Sequence, residues 1–446
     1  MTQTSIQRAI VPDRTRSRLL VVAGERPSLP TWTLEDAESA DGIRGAREAY
    51  GIETPFLRMV RMDGDVMQRG TLRLLMEFEA PSSDWSLPLG LTWMALDDIR
   101  TGTIDADPFG EALAEWIAEG RARVVPALRP DWARPGWHEA TTDWLRQELA
   151  RLGSEIRGPV EQLGSWPISS LLGVDTDQGR VIVKSVPPMY GHEPGLTLAL
   201  ATEHPGLVSD VVVADPVRRH LVMRAFGGAP LGSEEPARWS DGLTLLAAIQ
   251  QSWIDRRDEA ARIGVEDRSL AALDGEIDSI VTDEVASPGL KPSARQRLAA
   301  SLPRLHDLIG QLAAGPVPET LVHGDFHPWN VQRDGDRLVI FDWSDACWGH
   351  PFFDVPTVTS RTDDRTAGAS QREAVVAAWS AFGDRASVRE SLAWSGPLTE
   401  LHLSISWRRL QALFEEDGAY PFVDSGVQRH LELAVAAIDA LDSGIG

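Results

Sequence analysis

The run Leu321-Val322-His323-Gly324-Asp325-Phe326-His327-Pro328-Trp329-Asn330, followed by Leu338-Val339-Ile340-Phe341-Asp342-Trp343, is the most informative stretch of this chain. Between His323 and Asn330 the chain carries Gly324 and Pro328, which break regular helix, so the segment reads as a loop. Residues 337–341 are almost wholly apolar, as a short buried strand would be. The turn Asp334-Gly335-Asp336 ahead of them reads as a hairpin connection. Loop and strand then converge, with Asp325, Asn330 and Asp342 on one side of a cleft. Asp325 can accept a proton from an attacking hydroxyl, and Asn330 with Asp342 can hold a divalent cation. A purely local role as turn formers suits Asp334 and Asp336. It does not suit Asp342, because a buried carboxylate at the end of Leu-Val-Ile-Phe is costly without a cation.

The pattern H-x-D-x-x-x-x-N followed by an Asp at a strand end is the arrangement kinases use for phosphoryl transfer. The wording HGDFHPWN plus FDW, with no DFG or APE, resembles the aminoglycoside phosphotransferase and choline kinase branch. The resemblance covers about residues 155–440. It implies an α+β, protein-kinase-like two-lobed fold, with a small β-rich N-lobe at 155–228 and a large helical C-lobe at 229–446. It also implies ATP and Mg2+ as cofactors, Asp325 as the catalytic base, and Asn330 and Asp342 as metal ligands. The later motif Cys347-Trp348-Gly349-His350-Pro351-Phe352-Phe353-Asp354 corresponds to the family's Pro-x-x-Asp. That correspondence makes Asp354 an anchor for the start of a helix. His323 and His327 are expected to order the loop.

Lysine usage adds a second signal. Of 43 basic Lys and Arg residues only Lys184 and Lys291 are lysines. Lys184 ends Gly179-Arg180-Val181-Ile182-Val183-Lys184, a strand of VAIK-like form. A compact ammonium fits between phosphates where a planar guanidinium would not. Lys291, between Leu290 and Pro292, reads as a loop lysine. The helix expected at Glu193 to Glu203 offers Glu193 as the partner of Lys184. Gly164-Ser165-Trp166-Pro167-Ile168-Ser169-Ser170 reads as a turn that lays N–H groups and hydroxyls such as that of Ser165 over phosphates. Leu221 to Gly228 resembles the strand, hinge and glycine turn that receive the adenine, with backbone groups of Arg224 to Phe226 making the hydrogen bonds.

The N-terminal third reads differently. Strand-like runs at Leu19 to Ala23, Phe56 to Met62, Leu72 to Phe78 and Thr92 to Leu96 surround a helix near Gly42 to Tyr50. Residues 1–120 resemble a smaller α/β Nudix hydrolase domain. That family needs a helix ending in R-E-x-x-E-E-x-G, and this chain has Arg47-Glu48-Ala49-Tyr50-Gly51, so the resemblance implies a degenerate, non-hydrolysing module. Residues 121–154, with Pro126, Pro130, Pro135 and Gly136, read as a linker and helix. Beyond Gly228, helical periodicity marks Trp239 to Ile263, Ala294 to Ala314, Gln371 to Phe382, Leu398 to Glu416 and Val427 to Leu441.

Bulk properties bound the function. The formal net charge of -23 argues against nucleic acid or an anionic membrane as partner. It favours a cationic acceptor, with Glu400 and Glu415-Glu416-Asp417 as candidate contacts. The lone Cys347 gives no disulfide framework. With no apolar leader and no run of 18 apolar residues, a cytoplasmic location is expected. The expected function is ATP-dependent phosphorylation of a hydroxylated small molecule, possible acceptors including aminoglycosides and amino sugars. A protein kinase and a non-catalytic nucleotide-binding scaffold remain as alternatives.

Overall fold

The computed structural model describes residues 4–35, 39–64, 70–100, 103–282, 289–414 and 422–443. Two compact units emerge, one of Met1–Pro187 with Ala412–Phe422, the other of Pro188–Gln411 with Val423–Gly446. The division at Pro187 falls inside the expected N-lobe.

In the first unit, β1 (Thr4–Ile10), β2 (Arg18–Val22), β3 (Thr31–Glu35), α1 (Ser39–Tyr50), β4 (Phe56–Asp63), β5 (Thr71–Phe78), β6 (Leu91–Ala95), α2 (Gly110–Ala122) and α3 (Trp137–Arg151) precede β7 (Glu161–Trp166), β8 (Ser169–Thr176) and β9 (Gly179–Ser185). A mixed sheet has the order β3-β1-β5-β4. Its centre is β1, antiparallel to β3 and parallel to β5. Alternation along β1 feeds two cores: Ile10 packs with Leu19, Leu75 and Trp116 of α2, whereas Ala9 and Val11 pack with Trp32, Phe56 and Phe78. The four strands and α1 fall where sequence periodicity placed them. β1 went unseen for a physical reason: its inward positions include Ser5 and Gln7, both buried. Gln7 spends its carbonyl on the Trp32 indole N–H at 3.0 Å, so a buried face carries no apolar signature.

The strands β7, β8 and β9 form an antiparallel meander. The β7–β8 connection is only Pro167-Ile168, because Trp166 already pairs with Ser169. The expected seven-residue loop at 164–170 is therefore mostly strand. Gly and Ser suggest a loop by composition, yet here Gly164 marks a register shift in β7.

The second unit contains α4 (Glu193–Glu203), β10 (Val211–Asp215), β11 (His220–Arg224), β12 (Ala229–Pro230), α5 (Ser240–Ser252), α6 (Arg257–Ile263), β13 (Glu266–Asp267), α7 (Leu270–Thr282), α8 (Pro292–Ala313), β14 (Thr320–Val322), β15 (Val331–Asp334), β16 (Arg337–Ile340), β17 (Cys347–Gly349), α9 (Pro356–Thr359), α10 (Arg365–Ala378), α11 (Arg385–Gln411) and α12 (Phe422–Asp442). The helix expected over 239–263 is broken between Ser252 and Arg257, and α7 carries no signal strong enough to have been singled out. Two apolar cores flank the catalytic segments. One joins Leu243 and Leu246 of α5 to Leu321, Phe326, Ile340, Trp343 and Phe352. The other joins α7, α8, α11 and α12 to Val322, Cys347 and Phe353. Neighbouring residues (Leu321 and Val322, Phe352 and Phe353) thus point into opposite cores. Each such side chain contributes roughly 1.5–3 kcal/mol when fully buried, and together they clamp the backbone between them.

Candidate active site

The catalytic loop leaves β14 at Val322 and enters a tight passage. Gly324 has φ +85°, and a Cβ there would collide with the backbone of Asp345. Only glycine passes this point. Asp354, 1% exposed, holds the turn by accepting the backbone N–H groups of His323 and Gly324, both at 2.9 Å, and the Gln250 side-chain amide at 2.9 Å. Burial pushes this carboxyl up to about 7, against the lowering effect of the two backbone donors. Asp354 is thus a loop anchor, and it ties the loop to the 3-10 turn Pro351–Asp354 as well as to α5.

His323, fully buried, donates from Nε2 to the Phe341 carbonyl at 3.0 Å. The Phe341 N–H in turn donates to the Asn330 carbonyl at 3.1 Å. Loop and hairpin are thereby fixed to each other on both sides of Phe341. The hairpin itself is β15–β16, with Asp334 opposite Arg337 and Gly335-Asp336 as its two-residue turn. This is the hairpin expected from the sequence.

Asp342 follows β16 by two residues and adopts φ +65°. Asp tolerates this left-handed conformation better than most residues, and the bend re-aims its side chain away from the strand direction. The Ser344 hydroxyl donates to Asp342 Oδ1 at 2.6 Å. Asn330 is buried, and its Nδ2 donates to the Asp325 carbonyl at 2.9 Å. That bond commits the nitrogen and leaves the amide oxygen as the group available to a cation.

Asp325 carries the clearest electrostatic signature. Burial raises its carboxyl well above the ordinary carboxylate range, and the charges of Asp345 and Asp342 raise it further; Arg361 is the cation that opposes them. Half of the Asp325 side-chain surface remains accessible, so solvent softens the effect without reversing it. His327 Nε2 lies 3.6 Å from Asp325 Oδ2. Its Nδ1 accepts the Trp329 N–H at 3.2 Å, the loop-ordering contact anticipated for it. Burial and Arg361 hold the imidazole down to about 4, hence neutral near pH 7.

Asp345 was not anticipated, although it stands three residues beyond Asp342 in an acidic tripeptide step. The Tyr190 hydroxyl donates to Asp345 Oδ1 at 3.2 Å. Asp342 and Asp345 therefore act together on Asp325, and Asp354 adds to them from behind. Among the described residues no three His, Cys, Asp or Glu side chains form a cation cage by themselves. Asp342 and Asn330 are the side chains that could supply one or two protein ligands to a cation such as Mg2+, which otherwise keeps waters and phosphate oxygens.

The hinge segment is built into the same unit. β12, directly after Gly228, pairs with β15, with Ala229 opposite Arg333. Gly228 has φ +88°, and a Cβ there would strike the Arg333 backbone. The Phe226 ring packs on Phe341 at a 5.2 Å centroid separation, and the Arg224 N–H is taken by the Asp210 carbonyl at 2.9 Å. The structure therefore brings Phe226, Asp325, Asn330 and Asp342 together around Phe341. Within the second unit Glu193 opens α4 and is 1% exposed. Within the first, Lys184 lies in β9 opposite Leu171 and is 6% exposed, in contrast to the exposed Lys291. Ser165 is not in a phosphate-covering loop; it is buried inside β7, opposite Ser170. Glu400 accepts from His430 at 2.7 Å between α11 and α12, and Glu415-Glu416-Asp417 lies outside the described residues.

Residues 221–391 match the sequence profile of the phosphotransferase enzyme family, APH. No curated protein sequence matches the chain. Among solved structures, choline kinase from Cryptosporidium parvum Iowa II is 10% identical with a TM-score of 0.49, over 69% of this chain and 97% of its own. Choline kinase LicA from Streptococcus pneumoniae is 16% identical with a TM-score of 0.45, over 68% and 99%. Macrolide 2'-phosphotransferase MphH from Brachybacterium faecium is 19% identical with a TM-score of 0.41, over 67% and 98%. The family match runs from the hinge strand through the catalytic loop and past Asp354. The matched stretch carries the sequence of a phosphotransferase, in a chain of mixed α+β fold. Residues 1–220, Lys184 and Glu193 among them, and residues 392–446 lie outside the match. No helix among the described residues is long and apolar enough to cross a membrane.

Proposed function

We propose that the enzyme moves the γ-phosphoryl group of ATP to a hydroxyl of a small, hydroxylated acceptor, with Asp325 as base and Asn330 and Asp342 as the Mg2+ ligands. The observation that carries this reading is the convergence of Asp325, Asn330 and Asp342 on a loop and hairpin that Asp354 and His323 hold together. A carboxylate raised in pKa by its neighbours is a better proton acceptor than an ordinary one. Asp325 would accept a hydrogen bond from the acceptor O–H and take its proton as the new O–P bond forms and the bond to the β-phosphate oxygen breaks, releasing ADP. Bound Mg2+ would supply neutralisation of phosphate charge. The remaining contribution of the chain is positioning: Phe226 would line the adenine edge beside Phe341, and Arg224 to Phe226 would offer backbone groups to the base. Lys184 keeps the phosphate role, and Glu193 the lysine-ordering role, that the sequence resemblance implies for them. Ser165 keeps no direct role.

A small acceptor is favoured over a protein. Only β17 and one 3-10 turn separate Ser344 from Asp354, which leaves no long segment to seat a peptide. A cationic acceptor such as an aminoglycoside or amino sugar is supported by the acidic site and the net charge of -23. A cytoplasmic location accords with these substrates. The N-terminal module is read as a degenerate Nudix-like domain without hydrolytic activity; Glu48 lies on the exposed face of α1, 4.0 Å from Arg44. The test is an acceptor screen: ATP with aminoglycosides, amino sugars, neutral sugars and amino alcohols, read by phosphorus NMR. A phosphomonoester on one of these classes is expected. ATP binding with no transfer to any of them would favour the scaffold alternative.

A further inference from the structure

No step of the proposed transfer uses Trp329. It stands on the catalytic loop between Pro328 and Asn330, which are both buried, and is itself 45% exposed. Single exposed apolar side chains are ordinary on a protein surface. This one differs in being held. The backbone beneath it is tied to His327: the Trp329 N–H donates to the imidazole Nδ1 at 3.2 Å, and the Asn330 N–H to the His327 carbonyl at 2.9 Å. The indole rests on Gly232, where a Cβ would come within 2.6 Å of Cδ2 and Cε2. Those atoms are shared by both rings of the indole and can be approached only through a face. One face of Trp329 therefore lies on Gly232, and a side chain there would displace it. Trp239 packs against the indole in a T-shaped arrangement, with centroids 5.9 Å apart. Trp239 is itself buried, and its N–H donates to the Glu234 carbonyl at 3.2 Å. A ring placed in this way loses little freedom when a ligand settles on it.

The held indole adjoins the candidate base, within the second unit. His327 stands between them, its Nε2 3.6 Å from Asp325 Oδ2 and its ring centroid 6.2 Å from that of Trp329. Half of the Asp325 side-chain surface is accessible. Carboxylate and indole are thus separated by the width of one imidazole, a gap that a sugar ring can span. We propose that the exposed part of the Trp329 ring is the platform on which the acceptor stacks, and that the acceptor is a sugar ring bearing an amine, alone or within an aminoglycoside, and not an acyclic amino alcohol. The proposal rests on the reading of Asp325 as base. An indole face carries negative charge density, so it attracts C–H groups polarised by ring oxygens, and it attracts a protonated amine directly. Stacking fixes the tilt of the acceptor ring and so selects which hydroxyl reaches Asp325. An acyclic chain presents no face to stack.

The experiment uses the full-length chain with Mg-ATP and, as acceptors, glucosamine, kanamycin, glucose and ethanolamine, in wild type, Trp329→Phe, Trp329→Leu and Gly232→Ala. Trp329→Phe keeps an aromatic face, whereas Trp329→Leu keeps apolar bulk without one. Gly232→Ala leaves the indole intact and lifts it off its seat. For the best ring acceptor, KM should rise about tenfold in Trp329→Leu and by less in Trp329→Phe. Gly232→Ala should raise it as well. In Trp329→Leu, kcat should stay within about threefold and the KM for ATP should hold. An unchanged acceptor KM in Trp329→Leu would overturn the proposal. So would a rise in the KM for ATP instead, which would place the nucleotide on the indole. Equal losses of kcat in Trp329→Phe and Trp329→Leu, with both KM values unchanged, would make Trp329 a prop for the loop and overturn it too. A wild type that phosphorylates ethanolamine and none of the rings would sink the stacking role and leave Asp325 as base. A wild type that phosphorylates none of these acceptors would remove the functional reading, and the proposal falls with it.

Discussion

Each unit buries carboxylates, and the two units neutralise them in opposite ways. In the first, Glu77 of β5 is 2% exposed and sits between Arg16 at 2.7 Å and Arg58 at 2.8 Å. Burial alone would raise its carboxyl, but Arg58 and then Arg16 overcome burial and hold it below its ordinary value. In the second, burial and the neighbouring charges of Asp345 and Asp342 act in the same direction on Asp325, with Arg361 as the named opposing cation. The first cluster is complete as the chain folds. The second gathers like charges around Asp325. That gathering, on a loop held by Asp354, is what sets the second cluster apart from the first.

That contrast can be broken by substitution, most severely at Asp325. Asp325→Asn should lower kcat by about 10²–10⁴-fold while Mg-ATP affinity, followed by calorimetry, stays near wild type. More than a tenth of wild-type turnover would remove Asp325 from the role of base. Asp342→Ala should act earlier in the cycle and abolish Mg-dependent nucleotide binding along with turnover, because a metal ligand acts in the ground state as well. In the first unit, Glu77→Gln should leave chemistry untouched and cost about 3–5 kcal/mol of stability in urea denaturation, since two partly buried arginines lose their counter-charge. A loss under 1 kcal/mol would mean the arginines find other partners. The smallest effect is the pH dependence of that loss. A carboxyl whose folded pKa lies below its ordinary 4.5 contributes stability that is present above that value and is lost as pH falls through the folded pKa. The stability gap between wild type and Glu77→Gln should therefore narrow on acidification, and a gap that is flat or widens would contradict the ion-pair account.

The same two regions show what a sequence reveals. In the second unit the placement is local: a ten-residue loop, a two-residue turn and a short apolar strand bring Asp325, Asn330 and Asp342 to one place, a convergence legible from spacing. What spacing could not show is Asp345, whose role depends on Tyr190 more than 150 residues away, or the use of β12 to join hinge and hairpin. In the first unit the missed pieces have polar interiors. β1 hides behind Ser5 and Gln7, and β7 hides behind Gly164 and Ser165, which composition assigns to a loop. Arg129 and Trp132 read as linker residues because prolines surround them, yet both are buried. Their places are set by hydrogen bonds to Glu119 and to the Trp166 carbonyl, which leave no periodic trace.

The most direct test of the central claim is calorimetric titration of the full chain with ATP, with Mg2+ and with a chelator, in wild type and in Asp342→Ala. The assignment of Asp342 as a metal ligand predicts binding in wild type that depends on Mg2+ and disappears in the variant. Equal ATP affinity with and without Mg2+, or an Asp342→Ala variant that binds Mg-ATP like wild type, would contradict it.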